Sequence, residues 1–327
     1  MWSYILHCFL LLFLCNYQIN TQQIPFDTIV SFGDSNSDIG NVYNLTNHKW
    51  PIVPPYFQGR FTNGPVWIEK LGISNIKNYA YGGATTDNNF IQGYTASYTI
   101  PVPGVRQQIQ IYFNETNITT LNFIRTLYVI WIGGNDYYFN KTISPSTVVT
   151  SILNSVKDLL KIGAKYILIT NKSPTQTMPF VQTQEQFIYY KDRNIYHNNN
   201  LSIGIRKLDY NHKEVVLYLF DLYSFILKII ADNKNYSLNV KDYCWNVLNG
   251  SVTILCSNPE SYVHIDQYHY TTRMHELIGD AVRQFLLTSS AVNKSSYSIF
   301  IILCVQFFLT LSFCSYEKSS FLFPFEI

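Results

Sequence analysis

Charge is scarce in this chain. Acidic and basic side chains make up only 13% of its 327 residues, with a formal net charge of +2. No basic cluster is present to neutralise phosphates, so nucleic acid is not expected as a partner. No internal repeat and no Pro/Gly linker divides the middle of the chain, which points away from a string of small domains. A Gly-x-Ser-x-Gly nucleophile elbow is also missing, since Gly72-Ile73-Ser74-Asn75-Ile76 fails at the last position. No His lies at ligand spacing beside Asp34, Asp38 and Asp136, so no metal is expected. Those carboxylates leave an acidic metal site as an alternative, and Asp38 and Asp136 are read first as structural or orienting.

Apolar residues reach 47% and aromatics 16%, with 26 Tyr against 5 Trp. That balance describes a globular chain, long enough to bury a substantial core. Many exposed Tyr rings would suit an extracellular surface that contacts sugars or lipids; a compositional bias toward Tyr is the plainer explanation.

Residues 1–22 read as a secretory signal peptide. Ile5 to Cys15 is an uninterrupted apolar run followed by a polar one, although Lys and Arg are missing before it and no small-x-small cleavage site stands out. Nine Asn-x-Ser/Thr sequons agree with that route, at Asn44, Asn114, Asn117, Asn140, Asn171, Asn200, Asn235, Asn249 and Asn293. Of the six Cys, only Cys244 and Cys256 lie outside the leader and the C-terminal apolar stretch. In an oxidising compartment this pair is expected to close a short loop as a disulfide, the alternative being two free thiols.

Between the ends, apolar strand-like runs alternate with helix-like ones. Thr28–Phe32, Leu127–Ile132, Tyr166–Thr170 and Val215–Phe220 are expected strands, and Val148–Ile162, Thr183–Asp209 and Thr271–Leu287 expected helices. Continuous apolar strands alternating with amphipathic helices predict an α/β fold with a parallel sheet covered on both faces, in one domain over residues 26–288. Ligands in such folds sit beyond the carboxyl ends of the strands. Asp34-Ser35, Gly82-Gly83 and Asn135-Asp136 fall there. Ser35 follows a tight Gly33-Asp34 turn, and a Ser hydroxyl becomes a nucleophile only beside a base and preorganised oxyanion donors.

Four blocks carry a family resemblance. Phe32-Gly33-Asp34-Ser35 with Asp38, Gly40 and Asn41 resembles the first block of the GDSL lipases, also called SGNH hydrolases. Asn78 to Ala84 resembles the second, Gly133-Gly134-Asn135-Asp136 the third, and Asp266-Gln267-Tyr268-His269 the last. Gly59 to Trp67 is similar to a segment of the extracellular plant and fungal branch. The resemblance implies a three-layer α/β/α sandwich with a parallel sheet, flavodoxin-like, and a serine esterase or lipase needing no cofactor. It assigns Ser35, His269 and Asp266 as the triad, and the Ser35 and Gly83 amides with the Asn135 side chain as the oxyanion hole. Asn36 stands where the family name has Leu, and Tyr270 where a Pro usually follows the His.

Read from the residues alone, each of these has a plainer role. Asn135 is a candidate helix cap, Gly83 a turn residue and Asp266 a surface carboxylate. His264 and His275 are rival bases that lack an Asp three residues upstream. The expected substrate is an ester of an acyl lipid or an acylated glycan. Alternatives are a polysaccharide acetylesterase of the same mechanism and a non-catalytic surface-binding protein that keeps the fold.

The tail, residues 289–327, is strongly apolar over Ile299–Phe313. That run is short for a membrane span of roughly 17–25 residues. It also suits a GPI-attachment signal, with Ser289-Ser290-Ala291 as small residues, although Glu317 and Lys318 follow it. An extension past a fold complete by Leu287 is the third reading. The protein is therefore expected to be secreted, with membrane attachment through the tail as an option.

Overall fold

Three strands of this chain are buried along almost their whole length: β1 (Thr28–Gly33), β5 (Thr126–Trp131) and β6 (Tyr166–Thr170). Apolar side chains on both faces of a strand are stable only when helices cover both faces. The computed structural model, which describes residues 23–289 except 97–98 and 249–250, has that arrangement. The chain divides into two compact units, and the larger, Phe26–Val282, holds the fold described below. The expected signal peptide and the tail beyond residue 289 lie outside the described residues.

The sheet has five parallel strands in the order β2-β1-β5-β6-β7, with β2 at Asn75–Asn78 and β7 at Val216–Phe220. Two short strands, β3 (Gly93–Thr95) and β4 (Ile100–Val102), pair antiparallel in a separate hairpin. The helices are α1 (Asn41–Leu45), α2 (Val105–Glu115), α3 (Asn135–Phe139), α4 (Pro145–Lys161), α5 (Gln184–Asn211), α6 (Leu222–Ala231) and α7 (Asn233–Tyr236). An eighth, α8, starts at residue 272 and runs to 289.

Alternation along the strands assigns the two faces. Val30, Phe32, Tyr128, Ile130, Ile167 and Ile169 pack with residues of α2, α4 and α5, such as Tyr112, Ile152 and Leu201. The opposite face is Ile29, Leu127, Val129 and Leu168, all buried, ending at Trp131 against Trp67, ring centroids 5.6 Å apart. α8 lies tightly on that segment, for a Cβ added at Gly279 would meet the Trp67 carbonyl at 2.9 Å.

The four expected strands and three expected helices form at nearly their expected positions. β2 and α2 were not anticipated. β2 is an edge strand reading Asn-Ile-Lys-Asn, whose polar side chains keep the edge soluble and erase the apolar signal.

Toward the C-terminus lie small sheets: β8 (Asn239–Tyr243) beside β11 (Tyr262–His264), and the hairpin β9 (Trp245–Leu248) with β10 (Ser251–Ile254). Cys244 and Cys256 bracket that hairpin and form a disulfide, with Cα atoms 4.9 Å apart. Of the sequons, Asn44, Asn114, Asn117, Asn200 and Asn235 are exposed, and Asn249 and Asn293 lie outside the described residues. Asn140 is half-buried. Asn171, also half-buried, binds Asp221 and the Tyr223 amide at the start of α6.

Candidate active site

Counting only the strands of the large sheet, its order is 2-1-3-4-5, and the connections change direction between β1 and β5. Ligands of open α/β sheets collect at such a switch point, beyond the carboxyl ends of the strands. Ser35 follows β1, Gly83 follows β2 and Asn135 follows β5, so three distant segments meet at one edge.

Gly33 makes the turn before Ser35 because nothing larger fits: an added Cβ would lie 2.5 Å from the Trp131 carbonyl. Gln108 of α2, buried, clamps the same residue from both sides. Its side chain accepts from the Gly33 amide at 2.9 Å and donates to the Gly33 carbonyl at 2.9 Å.

The loops are tied together by two buried carboxylates. Asp38 accepts from the amides of Gly40, Asn41 and Val42 and, across the site, from Gly82 at 2.9 Å. Burial pushes its carboxyl up to about 6 against those four donors. Asp136 accepts from the Thr86 amide and, at 2.6 Å, from the Thr86 hydroxyl, tying α3 to the Gly83 loop. Asp34 accepts from the Asn36 amide and side chain. These carboxylates orient the chain around the site.

Gly83 has φ +91°, and an added Cβ would meet the Tyr94 carbonyl at 2.1 Å, so this position demands glycine. Neither the Ser35 amide nor the Gly83 amide donates a hydrogen bond among the described residues. The third polar group is the Asn135 side chain, which donates to the Ala84 carbonyl at 2.8 Å. The capping reading of Asn135 is corrected here: the cap of α3 is Gly134, and Asn135 is the first helical residue.

His269 Nε2 lies 2.9 Å from Ser35 Oγ, and His269 Nδ1 lies 2.8 Å from Asp266 Oδ2. Asp266 is 1% exposed, which overturns its reading as a surface carboxylate. Burial would raise its carboxyl, but His269 and hydrogen bonds from His269, Tyr56 and the Tyr268 amide outweigh burial and hold it below the ordinary range. His264 and His275 are buried, and burial pushes both down to about 3. Both are neutral at physiological pH, and His264 stacks on Tyr270 instead of approaching Ser35.

The family model for GDSL-like lipase/acylhydrolase matches residues 29–282, a span that contains Ser35, Gly83, Asn135, Asp266 and His269. The chain belongs to the GDSL lipase/acylhydrolase family. That membership makes it a carboxylic ester hydrolase. It is 27% identical to a phosphatidylcholine-sterol acyltransferase of Aeromonas hydrophila, over 71% of this chain and 69% of the relative. A GDSL esterase/lipase of Arabidopsis thaliana is 22% identical, over 79% of this chain and 84% of its own. Among solved structures, an inhibitor-bound aryl esterase of M. smegmatis aligns with TM-score 0.46 and 15% identity, covering 80% and 99% of the two chains.

The Gly59–Trp67 segment of this GDSL chain supports the His269 loop. Phe61 lies between Gly82, where a Cβ would meet its ring at 2.3 Å, and the His269 ring at 5.3 Å. Asn63 and Pro65 accept from Thr272 at the start of α8. Tyr56, just upstream, donates to Asp266 Oδ2 at 2.5 Å. Sequence reading missed Tyr56 and Gln108, since one Tyr among many and one Gln in a helix carry no local mark.

Proposed function

We propose that the protein is a secreted serine esterase or lipase that works through an acyl-enzyme on Ser35. The observation that carries this reading is the continuous path from Ser35 Oγ to His269 Nε2 at 2.9 Å and on to Asp266 at 2.8 Å.

His269 Nε2 takes the hydroxyl proton as Ser35 Oγ bonds to the ester carbonyl carbon. Asp266 fixes the imidazole with its proton on Nδ1 and stabilises the cation that forms. The tetrahedral oxyanion receives the Ser35 and Gly83 N–H groups and the Asn135 side-chain amide, each worth roughly 3 kcal/mol in comparable sites. Collapse breaks the ester C–O bond, and His269 gives its proton to the departing alcohol. Water then repeats the sequence, releasing the acid and restoring Ser35.

Secretion is supported by the apolar leader, the exposed sequons and the Cys244–Cys256 disulfide. The substrate is an acyl lipid or an acylated glycan. A phosphatidylcholine-sterol acyltransferase among the relatives favours the first. Tyr138 and Tyr268, each 42% exposed beside His269, favour a polysaccharide acetylesterase, because flat amphipathic rings stack on sugars.

Hydrolysis of 4-nitrophenyl acetate by the purified protein, and its loss by about 10⁴–10⁶-fold in Ser35→Ala, is the test. Turnover unchanged in Ser35→Ala would remove the nucleophile and the reading with it. Triglyceride, phospholipid and acetylated xylan then separate the substrate classes.

A further inference from the structure

Lys172 stands two residues past the end of β6, on the same edge of the sheet as Ser35 and Asn135. Asn198 of α5 clamps its backbone, accepting from the Lys172 amide at 2.8 Å and donating to its carbonyl at 3.1 Å. The residue is only 6% exposed. Its Nζ forms no ion pair among the described residues. It lies 5.5 Å from the centre of the Tyr137 ring and 4.0 Å from where a Cβ on Gly134 would be, next to Asn135.

A buried cation without a direct partner is costly, so its retention asks for an explanation. The neighbouring carboxylates answer only part of it. Asp34 and Asp136 attract Lys172; Asp34 Oδ1 is held by Asn36 and both oxygens of Asp136 by Thr86. Asp34 Oδ2, like Lys172 Nζ, lies 4.0 Å from where a Cβ on Gly134 would be, and it makes no ion pair with Lys172. A second cation stands nearby: Arg193 lies 4.8 Å over the same Tyr137 ring, with its Nη1 buried and unpartnered. Burial brings the Lys172 ammonium down to about 8, which leaves it charged at neutral pH.

Lys172 lines a cavity of about 30 Å³, together with Gly134, Tyr138, Thr175, Phe180 and Tyr190. That volume holds one or two water-sized groups, the scale of a carboxylate or of the outer oxygens of a phosphate. The cavity wall continues to the catalytic side. Tyr268, adjacent to His269, packs its ring on Phe180 at 5.3 Å and on Tyr138 at 5.7 Å.

We propose that this cavity is an anion subsite, so that the enzyme selects esters carrying a small anionic group, which Lys172 receives while the scissile carbonyl occupies the oxyanion hole. The inference rests on the Ser35–His269 reading of the site. It extends that reading to the substrate's charge.

Two matched pairs of esters test it by kcat/KM. One pair is 4-nitrophenyl butyrate and mono-4-nitrophenyl succinate, which differ by a carboxylate on the acyl side. The other is 1-butyrylglycerol and its 3-phosphate, which differ by a phosphate on the alcohol side. The wild-type protein is expected to prefer the anionic member of at least one pair by ten-fold or more, and the pair that shows it identifies the source of the anion. Lys172→Met should bring that ratio to about one, and Lys172→Arg should keep most of it. A ratio does not depend on how much of a variant folds. A second measurement needs no turnover: Ser35→Ala protein titrated with succinate and with inorganic phosphate by calorimetry. Binding of one of them should weaken at least ten-fold when Lys172→Met is added. Ratios near one in both pairs, a preference that survives Lys172→Met, or anion binding indifferent to it would each overturn the subsite. Loss of activity confined to Ser35→Ala would meanwhile leave the esterase reading standing.

Discussion

Tyr56 donates its hydroxyl hydrogen to Asp266 Oδ2 at 2.5 Å, across 210 positions of sequence. The carboxylate is buried, and its other oxygen already accepts the Tyr268 and His269 amides. Burial and the nearby Asp266 charge keep the Tyr56 hydroxyl well above its ordinary range, so it remains a donor.

Tyr56→Phe should therefore weaken the protein by about 1–3 kcal/mol, the cost of leaving a buried charged acceptor short of a donor. The loss should be full near neutral pH and shrink as the pH falls and Asp266 takes a proton. Asp266 is held below the ordinary carboxylate range, so it contributes stability that is present above that range and lost as pH falls through its lowered value. Without the Tyr56 donor that value rises, so the variant has less of this stability to lose and its acid loss is complete at higher pH. Urea midpoints measured from pH 7 down to pH 3 report the shift. A difference between wild type and variant that stays constant from pH 7 to pH 3 would remove Tyr56 from this role.

Asp266→Asn should cost about 10⁴-fold in kcat, and His269→Ala about 10⁶-fold. The amide still spans the gap to Nδ1 but no longer stabilises the imidazolium, whereas the Ala variant has no base at all. Equal losses in single-turnover hydrolysis would argue against the division of labour.

Asn135→Ala should lower kcat by about 10²–10³-fold with little change in KM, because its amide is proposed to act on the oxyanion rather than on bound ester. Circular dichroism should show the fold retained, since Gly134 and not Asn135 caps α3. A variant that raised only KM would place Asn135 in substrate binding.

Breaking the disulfide with Cys256→Ser should cost about 3 kcal/mol for a loop of 12 residues. The damage should reach the site as well. The hairpin base carries Trp245, whose ring meets Tyr56 at 5.0 Å, and Tyr56 holds Asp266. A lowered Tm with a several-fold lower kcat is expected, and an unchanged Tm by calorimetry would refute it.

A chain ending at Ser290 should be soluble and active, because the family match closes at residue 282. Inactive or aggregated product would assign the apolar tail a part in the catalytic unit.

The sequence by itself determined the central strands and the chemistry at their ends. β1, β5 and β6 are apolar on both faces, which only a covered parallel sheet tolerates, and Gly33 and Gly83 stand where backbones approach too closely for a side chain. Ser35, Asn135 and the Asp266-to-His269 pair sit in short marked segments, and those marks survive translation into one dimension. Tertiary structure alone decided which plain residues serve them. β2 hides its strand behind polar edge residues, Gln108 reaches Gly33 from a helix, and Tyr56 reaches Asp266 from a distant loop. Lys172 likewise becomes distinctive only when the fold buries it beside Asn135. The physical reason is that a hydrogen bond or a desolvated charge depends on distance in space, and nothing local in the chain records which partner will arrive.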